Sequence, residues 1–194
     1  MAKNQFNIYA ISDPHIGHDD FNGKGGIIRH ANRPFKTMIE MTEVIKTRWN
    51  RVVRPQDVII ILGDFIWTGG AADLIKEYIK LFNGRMILVM GNHDKKGYSW
   101  YMNNGVQFVC DRFAWEFNGK RILFIHDPAN VSSEELQKYN YIIHGHHHQN
   151  SPLVYTHKGV THVNLSVENL KYEPINLVTL LSKLTQGYYT RNKR

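Results

Sequence analysis

Residues 57–64 read DVIIILGD, five apolar side chains from Val58 to Leu62 closed by Gly63 and Asp64. The run is too short for most helices and reads as a central strand. On its N-terminal side, residues 37–53 (TMIEMTEVIKTRWNRVV) set Met38, Met41, Val44, Ile45, Trp49 and Val52 at three- and four-residue steps, the spacing of an amphipathic helix. On its C-terminal side, residues 71–82 repeat that spacing with Leu74, Ile75, Tyr78 and Phe82, and Asn83-Gly84 supplies the stop. FNIYAIS (6–12) and RMILVM (85–90) add two further strands. Strand, helix, strand, helix, strand means βαβ units and a parallel sheet.

The second half reads differently. VQFVC (106–110) is strand-like, with Cys110 as a small buried apolar group. FAWEF and KRILFIH flank Asn118-Gly119, a strong hairpin signal. SSEELQKY is a short helix in which Ser132 caps and Glu135 is the reciprocal partner. NYIIH, LVYTH turning at Lys158-Gly159 into VTHVNLS, and INLVTLL complete the chain. The succession predicts antiparallel pairing in a second sheet, stacked on the first in one mixed α/β sandwich rather than two domains.

Composition narrows the class. Hydrophobic content of 42% and charged content of 21% suit a soluble globular chain and exclude global disorder. A single cysteine excludes an internal disulfide and fits a reducing compartment. No apolar run reaches the ~18 residues of a membrane span, and the N-terminus lacks a signal-peptide pattern. The expectation is therefore a cytoplasmic protein without a membrane partner. A formal net charge of +7 favours polyanionic substrates or partners, nucleic acid among them. Arg29, Arg33, Lys36, Lys46, Arg48, Arg51 and Arg54 enrich one segment, which a solvated basic face explains as well as nucleic-acid contact does.

Polar, metal-capable residues recur just after the strand-like runs. Asp13 and His15 follow the first, Asp64 the second, and Asn92, His93 and Asp94 the third; His126 follows RILFI, and His146 and His148 follow NYII. Sites in open α/β sheets form at the carboxyl ends of strands. In extended backbone, residues two apart project to one side, so Asp13 and His15, with Pro14 between them favouring extension, share a face, as do His146 and His148. Gly63, Gly91 and Gly145 precede these groups where the chain must turn or approach closely. The donors are oxygen and imidazole nitrogen without thiolate, which selects manganese, iron, zinc or a similar divalent ion over a cysteine-type zinc site. Asp13, His15, Asp64, Asn92, His126, His146 and His148 are too many for one ion but suit two ions sharing a carboxylate, ~3.5–4 Å apart, the device for in-line attack at phosphorus.

The ordered series DPH (13–15), GD (63–64), GNHD (91–94), His126 and GHHH (145–148) resembles the calcineurin-like metallophosphoesterase family. SDPHIGH (12–18) and NRPF (32–35) are similar to segments of its compact bacterial and phage members. The resemblance implies an α/β fold, a four-layer α/β/β/α sandwich with two mixed sheets and the metal site at the C-terminal ends of strands. It implies a single domain over residues 1–194. It further implies that Asp13, His15 and His148 hold one metal, that Asn92, His126 and His146 hold the other, and that Asp64 bridges them. Manganese is the first expectation for both, with iron, zinc and nickel as alternatives. A bridging hydroxide would attack a phosphodiester or phosphomonoester, of a nucleotide or nucleic acid among other substrates. His93 would stabilise the transition state or protonate the leaving oxygen, and Asp94 would orient His93 or cap the following turn.

GDFIW (63–67) and the closing Asp94 depart from the phosphoprotein phosphatase pattern, and the chain has no room for the capping domain of DNA-end nucleases. His18 reads as a phosphate contact or a surface group. Arg29, His30 and Arg33, in the loop before the first helix, read as substrate contacts or as solvated charges. Asn22 and the glycines of 21–26 read as a phosphate cradle or a lid. Trp67, Tyr98, Trp100 and Tyr101 read as base-stacking or rim groups, and His157 and His162 as structural. Within IIHGHHHQN (142–150), alternation alone lets His144, His146 and His148 share a face with His147 turned away; the resemblance, through its Gly-His-x-His block, implies that His146 and His148 are the ligands, His144 a strand-end group and His147 the variable residue between them. Two rival readings stand beside the enzyme. One is a non-catalytic nucleic-acid or protein-binding module that keeps the fold, and the other is metal storage by the histidine tract.

Overall fold

The computed structural model describes residues 6–18, 26–67, 69 and 71–191. Strands β1 (Ile8–Ile11), β2 (Val58–Ile61), β3 (Arg85–Val89) and β4 (Val106–Cys110) lie side by side in that order and run parallel. Parallel neighbours need crossovers. Helices α1 (Ile27–His30) and α2 (Met38–Val52) lie between β1 and β2, α3 (Ala72–Ile79) between β2 and β3, and α4 (Tyr98–Asn103) between β3 and β4. Thr37 starts α2 by accepting the Glu40 N–H at its side chain.

Strand β2 explains its own sequence. Ile59 and Ile61 enter a core with Trp49, Phe65 and Phe82, while Ile60 and Leu62 enter another with Val89, Phe124 and Val163. Each residue from Ile59 to Leu62 is buried on one face or the other and Val58 is half-buried, so no polar alternation survives. Trp49, wholly buried, stacks on Phe65 and donates its indole N–H to Asn83 O at 2.8 Å. Asp57, at the entry to β2, accepts N–H bonds from Asn7 and Arg54 and the Arg54 guanidinium; that guanidinium first, then the amides, holds its carboxyl down at about 2.

The second sheet has the order β5-β6-β7-β9-β8, with β5 (Arg112–Phe117), β6 (Lys120–Ile125), β7 (Tyr141–His144), β8 (Val154–His157) and β9 (Val160–Asn164). The two hairpins turn at Asn118-Gly119 and Lys158-Gly159, all four residues at positive φ, as the tight two-residue hairpin turn requires. The expected antiparallel sheet is only half right, because β6, β7 and β9 pair in parallel. The connection from β6 to β7 carries α5 (Ser133–Leu136), a crossover rather than a turn. Ser132 caps α5 by accepting the Glu135 N–H, but the Glu135 carboxylate goes to Arg112 instead of closing the capping box. The sheets are thus both mixed, since β10 (Ile175–Asn176) adds antiparallel to β1.

INLVTLL, grouped with the strands, is that two-residue strand followed by α6 (Leu177–Thr185), with α7 (Tyr188–Arg191) beyond it. Asn176 caps α6, and Leu177, Leu180, Leu181 and Leu184 fall on one buried face. The three- and four-residue spacing wins over the β-branched content. Four of the seven residues of the basic segment are in ion pairs, Arg33 with Glu168, Lys46 with Glu43, Arg51 with Glu173 and Arg54 with Asp57. No helix among the described residues is long and apolar enough to cross a membrane.

Candidate metal centre

The polar tips of both sheets meet because the strands are stitched together beyond their ends. Past β1, Asp13 N donates to Gly63 O, His15 N to Asp64 O and Ile16 N to Phe65 O, zipping the first two tips together. Ser12 bridges to Ser166, past β9, with Ser12 N on Leu165 O and Val167 N on Ser12 O, which joins the first sheet to the second. Gly145 sits so close to Ser12 and Asp13, and Gly91 so close to Asp64, that a Cβ at either would overlap them. These glycines are required by close approach.

Two groups form at this junction. Ligand atoms of Asp13, His15 and His148 lie within 4.8 Å of one another, and so do those of Asp64, His126 and His146. Asp64 Oδ2 stands between the groups, 3.4 Å from His15 Nε2 and 3.5 Å from His126 Nε2. Asn92, exposed at the rim, brings its Oδ1 to 3.0 Å from His126 Nε2. The expectation of extended backbone fails here. Asp13, His15, Asp64, His146 and His148 all have left-handed φ, between 46° and 68°. That region costs about 1–2 kcal/mol per non-glycine residue, and such strain gathers where the surroundings over-determine the backbone. The pairs two residues apart do share a site, but through tight left-handed turns rather than pleated strand.

Outer partners fix how the rings face. His126 Nδ1 meets Leu62 O at 2.7 Å and therefore carries the proton, turning Nε2 inward. His148 Nδ1 meets Glu168 Oε1 at 3.2 Å, with the same consequence. His15 Nδ1 lies 3.1 Å from His18 Nδ1, and its buried Nε2 makes no hydrogen bond, with Asp64 Oδ2 3.4 Å away. The Asp13 carboxylate accepts the backbone N–H of His146 and, at 2.8 Å, the Ser166 hydroxyl. His126 Nε2 thus confronts Asp64 Oδ2, Asn92 Oδ1 and His146 Nδ1, a crowd of acceptors short of a cation. Burial pulls His126 down, yet the Asp64 hydrogen bond and the Asp13 and Asp64 charges outweigh it and raise its pKa to about 9. A cluster that draws a proton so strongly suits a divalent ion, and its oxygen and imidazole donors fit the metals named above.

Other expected site residues divide. His93 lines a cavity of about 360 Å³ with His15, His18, His30 and His148; its backbone N–H donates to Asp64 Oδ1 and its ring Nδ1 is buried without a hydrogen-bond partner. The ring is held by packing, 5.0 Å from Trp67 and 5.3 Å from His15 between centroids. Burial lowers its pKa. A second cavity of about 450 Å³ adjoins the first, sharing Asn92 and His146 and continuing past Asp127 to Arg112. Asp94 does not orient His93. Its carboxylate accepts the N–H groups of Asp64, Phe65 and Gly91, so it shapes two ligand loops from within instead of meeting substrate. Burial and the Asp64 charge push its pKa up to about 7 against those three donors.

Arg29 is exposed on α1 rather than in a loop. Arg33, expected near substrate, is a correction: its guanidinium is wholly buried, bonded to Asp13 O, Pro14 O and Glu168. Tyr101 is buried beneath α4, not at a rim. Asn22 and residues 21–25 lie outside the described residues. His144 sits at the end of β7 with Nε2 on the Tyr155 hydroxyl, and His147 meets Ser151. Glu168 and Ser166 escaped the sequence reading, since neither belongs to a recognisable block. The one available signal was a lone acidic residue just past the strand-like VTHVNLS.

The model of the calcineurin-like phosphoesterase superfamily domain matches residues 6–166. An uncharacterized protein of Methanocaldococcus jannaschii, MJ1445, is 33% identical over 186 residues, covering 95% of this chain and 94% of that one. A solved structure from Aquifex aeolicus, the protein of unknown function AQ665, aligns with a TM-score of 0.68 at 28% identity, covering 93% of this chain and all of that one.

Proposed function

The chain belongs to the calcineurin-like phosphoesterase superfamily, and from that premise we propose that it is a hydrolase of phosphate esters working with two divalent metal ions. The observation that carries this reading is the position of Asp64 Oδ2, within 3.5 Å of one imidazole from each ligand group. Asp13, His15 and His148 would hold one ion, Asn92, His126 and His146 the other, and Asp64 both. Manganese is the first choice for each. When bound, two such ions supply the positive charge and the acidified water that in-line attack at phosphorus requires.

The chain's own residues do the rest. Asn92 and His146 stand where the two cavities meet, so a phosphate seated there has room for a substituent on either side. His93 stands at the wall of the smaller cavity, and with Nδ1 buried its other nitrogen is left to meet the leaving oxygen. His18 lines that cavity too, and Arg29 on α1 is the exposed charge nearest in sequence to the cavity-lining His30. The net charge supports an anionic substrate, with nucleotides and nucleic acid as the classes to try first. The lone cysteine supports a cytoplasmic setting, and we read residues 1–194 as one domain.

The test is to strip the protein with chelator, restore manganese, iron, zinc or nickel in turn, and assay bis-aryl phosphate, mono-aryl phosphate, cyclic nucleotides and single-stranded oligonucleotides. Two ions per chain and metal-dependent hydrolysis are expected. Full loading without hydrolysis of any ester would leave the non-catalytic binding module in its place. Uptake well beyond two ions would point to storage.

A further inference from the structure

Arg33 and Glu168 are 135 residues apart in the chain and meet in the interior beside the Asp13, His15 and His148 group. Arg33 Nε and Nη2 both donate to Glu168 Oε1, at 2.9 and 2.8 Å. Nη2 also donates to Asp13 O at 2.7 Å and Nη1 to Pro14 O at 3.0 Å. The same Oε1 receives His148 Nδ1. One carboxylate oxygen therefore joins a ring from the second sheet to the turn that presents Asp13 and His15 from the first.

Stability alone does not account for this pair. The Arg33 side chain has 0% exposure and that of Glu168 8%. Desolvating two charges costs several kcal/mol per ion, and their attraction seldom does more than offset it. Glu168 Oε2 is also buried without a partner, a further cost of about 1–3 kcal/mol. What the pair does hold is strained backbone. Arg33 grips the carbonyls of Asp13 and Pro14, which lie between the two left-handed residues Asp13 and His15, at φ 56° and 51°. His148, at φ 46°, is held through its ring by Glu168 and through its carbonyl by Asn164 Nδ2 at 2.8 Å.

We infer that Arg33 and Glu168 are a positioning pair for the ion held by Asp13, His15 and His148. Glu168 fixes His148 in the tautomer that leaves Nε2 bare, and Arg33 locks that ring to the turn carrying the other two ligands. Neither residue touches substrate. A carboxylate behind a ligating imidazole sets its orientation and raises its basicity, and losing such a partner costs ~10–100-fold in metal affinity. His126, in the other group, leans on the backbone carbonyl of Leu62 instead, so the effect falls on one ion of the two. The inference rests on the two-ion reading above.

The experiment compares the full wild-type chain with Glu168→Gln and with the double variant Arg33→Met/Glu168→Leu. Replacing both charges by apolar groups should keep the fold, since such exchanges are often neutral or stabilising. Manganese is titrated into metal-free protein by calorimetry, and ¹⁵N NMR reads the histidine tautomers of the metal-free chain. The wild type should bind two ions and show His148 protonated at Nδ1. The double variant should keep one ion unchanged, bind the other ~10–100-fold more weakly, and lose that tautomer preference. Glu168→Gln retains a carbonyl acceptor and should recover the tautomer and part of the affinity, a graded rescue that a packing defect would not produce. Unchanged affinities in both variants would overturn the inference, as would equal losses at both ions or an unshifted His148 tautomer in the double variant. A wild type that binds fewer than two ions would instead bring down the two-ion reading, and the tautomer measurement would still decide whether Glu168 sets His148.

Discussion

Two clusters of imidazoles grow from the same nine residues, 142–150. His146 and His148 face inward to meet His15 and His126 around Asp13 and Asp64. His144 and His147 belong with His162, His157 and Tyr155, the His144 ring 5.1 Å from that of His147 and 5.6 Å from that of His162. The second cluster is as dense in histidine as the first, yet no carboxylate hydrogen-bonds to its rings among the described residues. Both ring nitrogens of His162 are buried without partners, and Tyr155 stacks on it at 5.0 Å. Burial first, and then the neighbouring imidazoles, drive His144 to about 3 and His162 to about 4, whereas carboxylates hold His126 up at about 9. Imidazoles become candidate ligands when acceptors stand both in front of them and behind. Without those they are a costly kind of packing.

The comparison breaks most sharply at Asp64. Asp64→Asn should lower metal-dependent turnover by more than the ~100-fold typical of outer partners and remove at least one ion, with circular dichroism unchanged; activity near wild type would show that the inward cluster is no more special than the outward one. Gly145 is the hinge between the clusters, and its missing side chain is what lets Asp13 and Ser12 lie against it. Gly145→Ala should cost about 3 kcal/mol in urea unfolding and weaken the ion at Asp13, and a variant with wild-type stability would mean the two strand tips are not in close contact.

Acid tests the outward cluster. His144 and His162 have folded pKa values below the unfolded value near 6.5, so the unfolded chain takes up protons first as pH falls. Their contribution to stability is complete above about pH 6.5 and is lost progressively down to about pH 4 for His162 and about pH 3 for His144. His162→Leu should remove one proton from that slope, up to ~1.4 kcal/mol per pH unit. It should also add about 1 kcal/mol at neutral pH by deleting an unsatisfied buried group, ~2–4 °C in Tm for a chain of this size. A less stable variant, or an unaltered acid profile, would give His162 a bonding role that its surroundings lack. The smallest effect belongs to His157→Ala: the side chain is exposed, and stability should stay within about 0.5 kcal/mol with metal content unchanged.

Much of this was readable in advance. The apolar run 58–62 predicts a central strand because each residue must satisfy one of two buried faces, and Asp13, Asp64, Asn92, His126, His146 and His148 stand out because each directly follows such a strand. Spacing misled where it assumed extended backbone. The alternation of Asp13 with His15 is the same in a strand and in a left-handed turn, and nothing local in DPH distinguishes them. Asp94 was recognisable as part of a block, but its work is done on backbone amides of Asp64, Phe65 and Gly91, which carry no sequence signature. INLVTLL was misassigned because strand propensity and helical spacing coexist in it, and packing on β1 and the second core decides between them.

What the sequence determines by itself is the alternation of apolar strands and helices, and the order of polar groups at the strand tips. Both are local properties of hydrophobic period and residue chemistry. What only the tertiary structure decides is which nitrogen of each histidine faces inward, that Arg33 is a buried brace and not a surface charge, and that Glu168 stands behind His148. Those facts depend on partners brought together from 20 to 135 residues away and on backbone strain that only a closed framework of hydrogen bonds can hold.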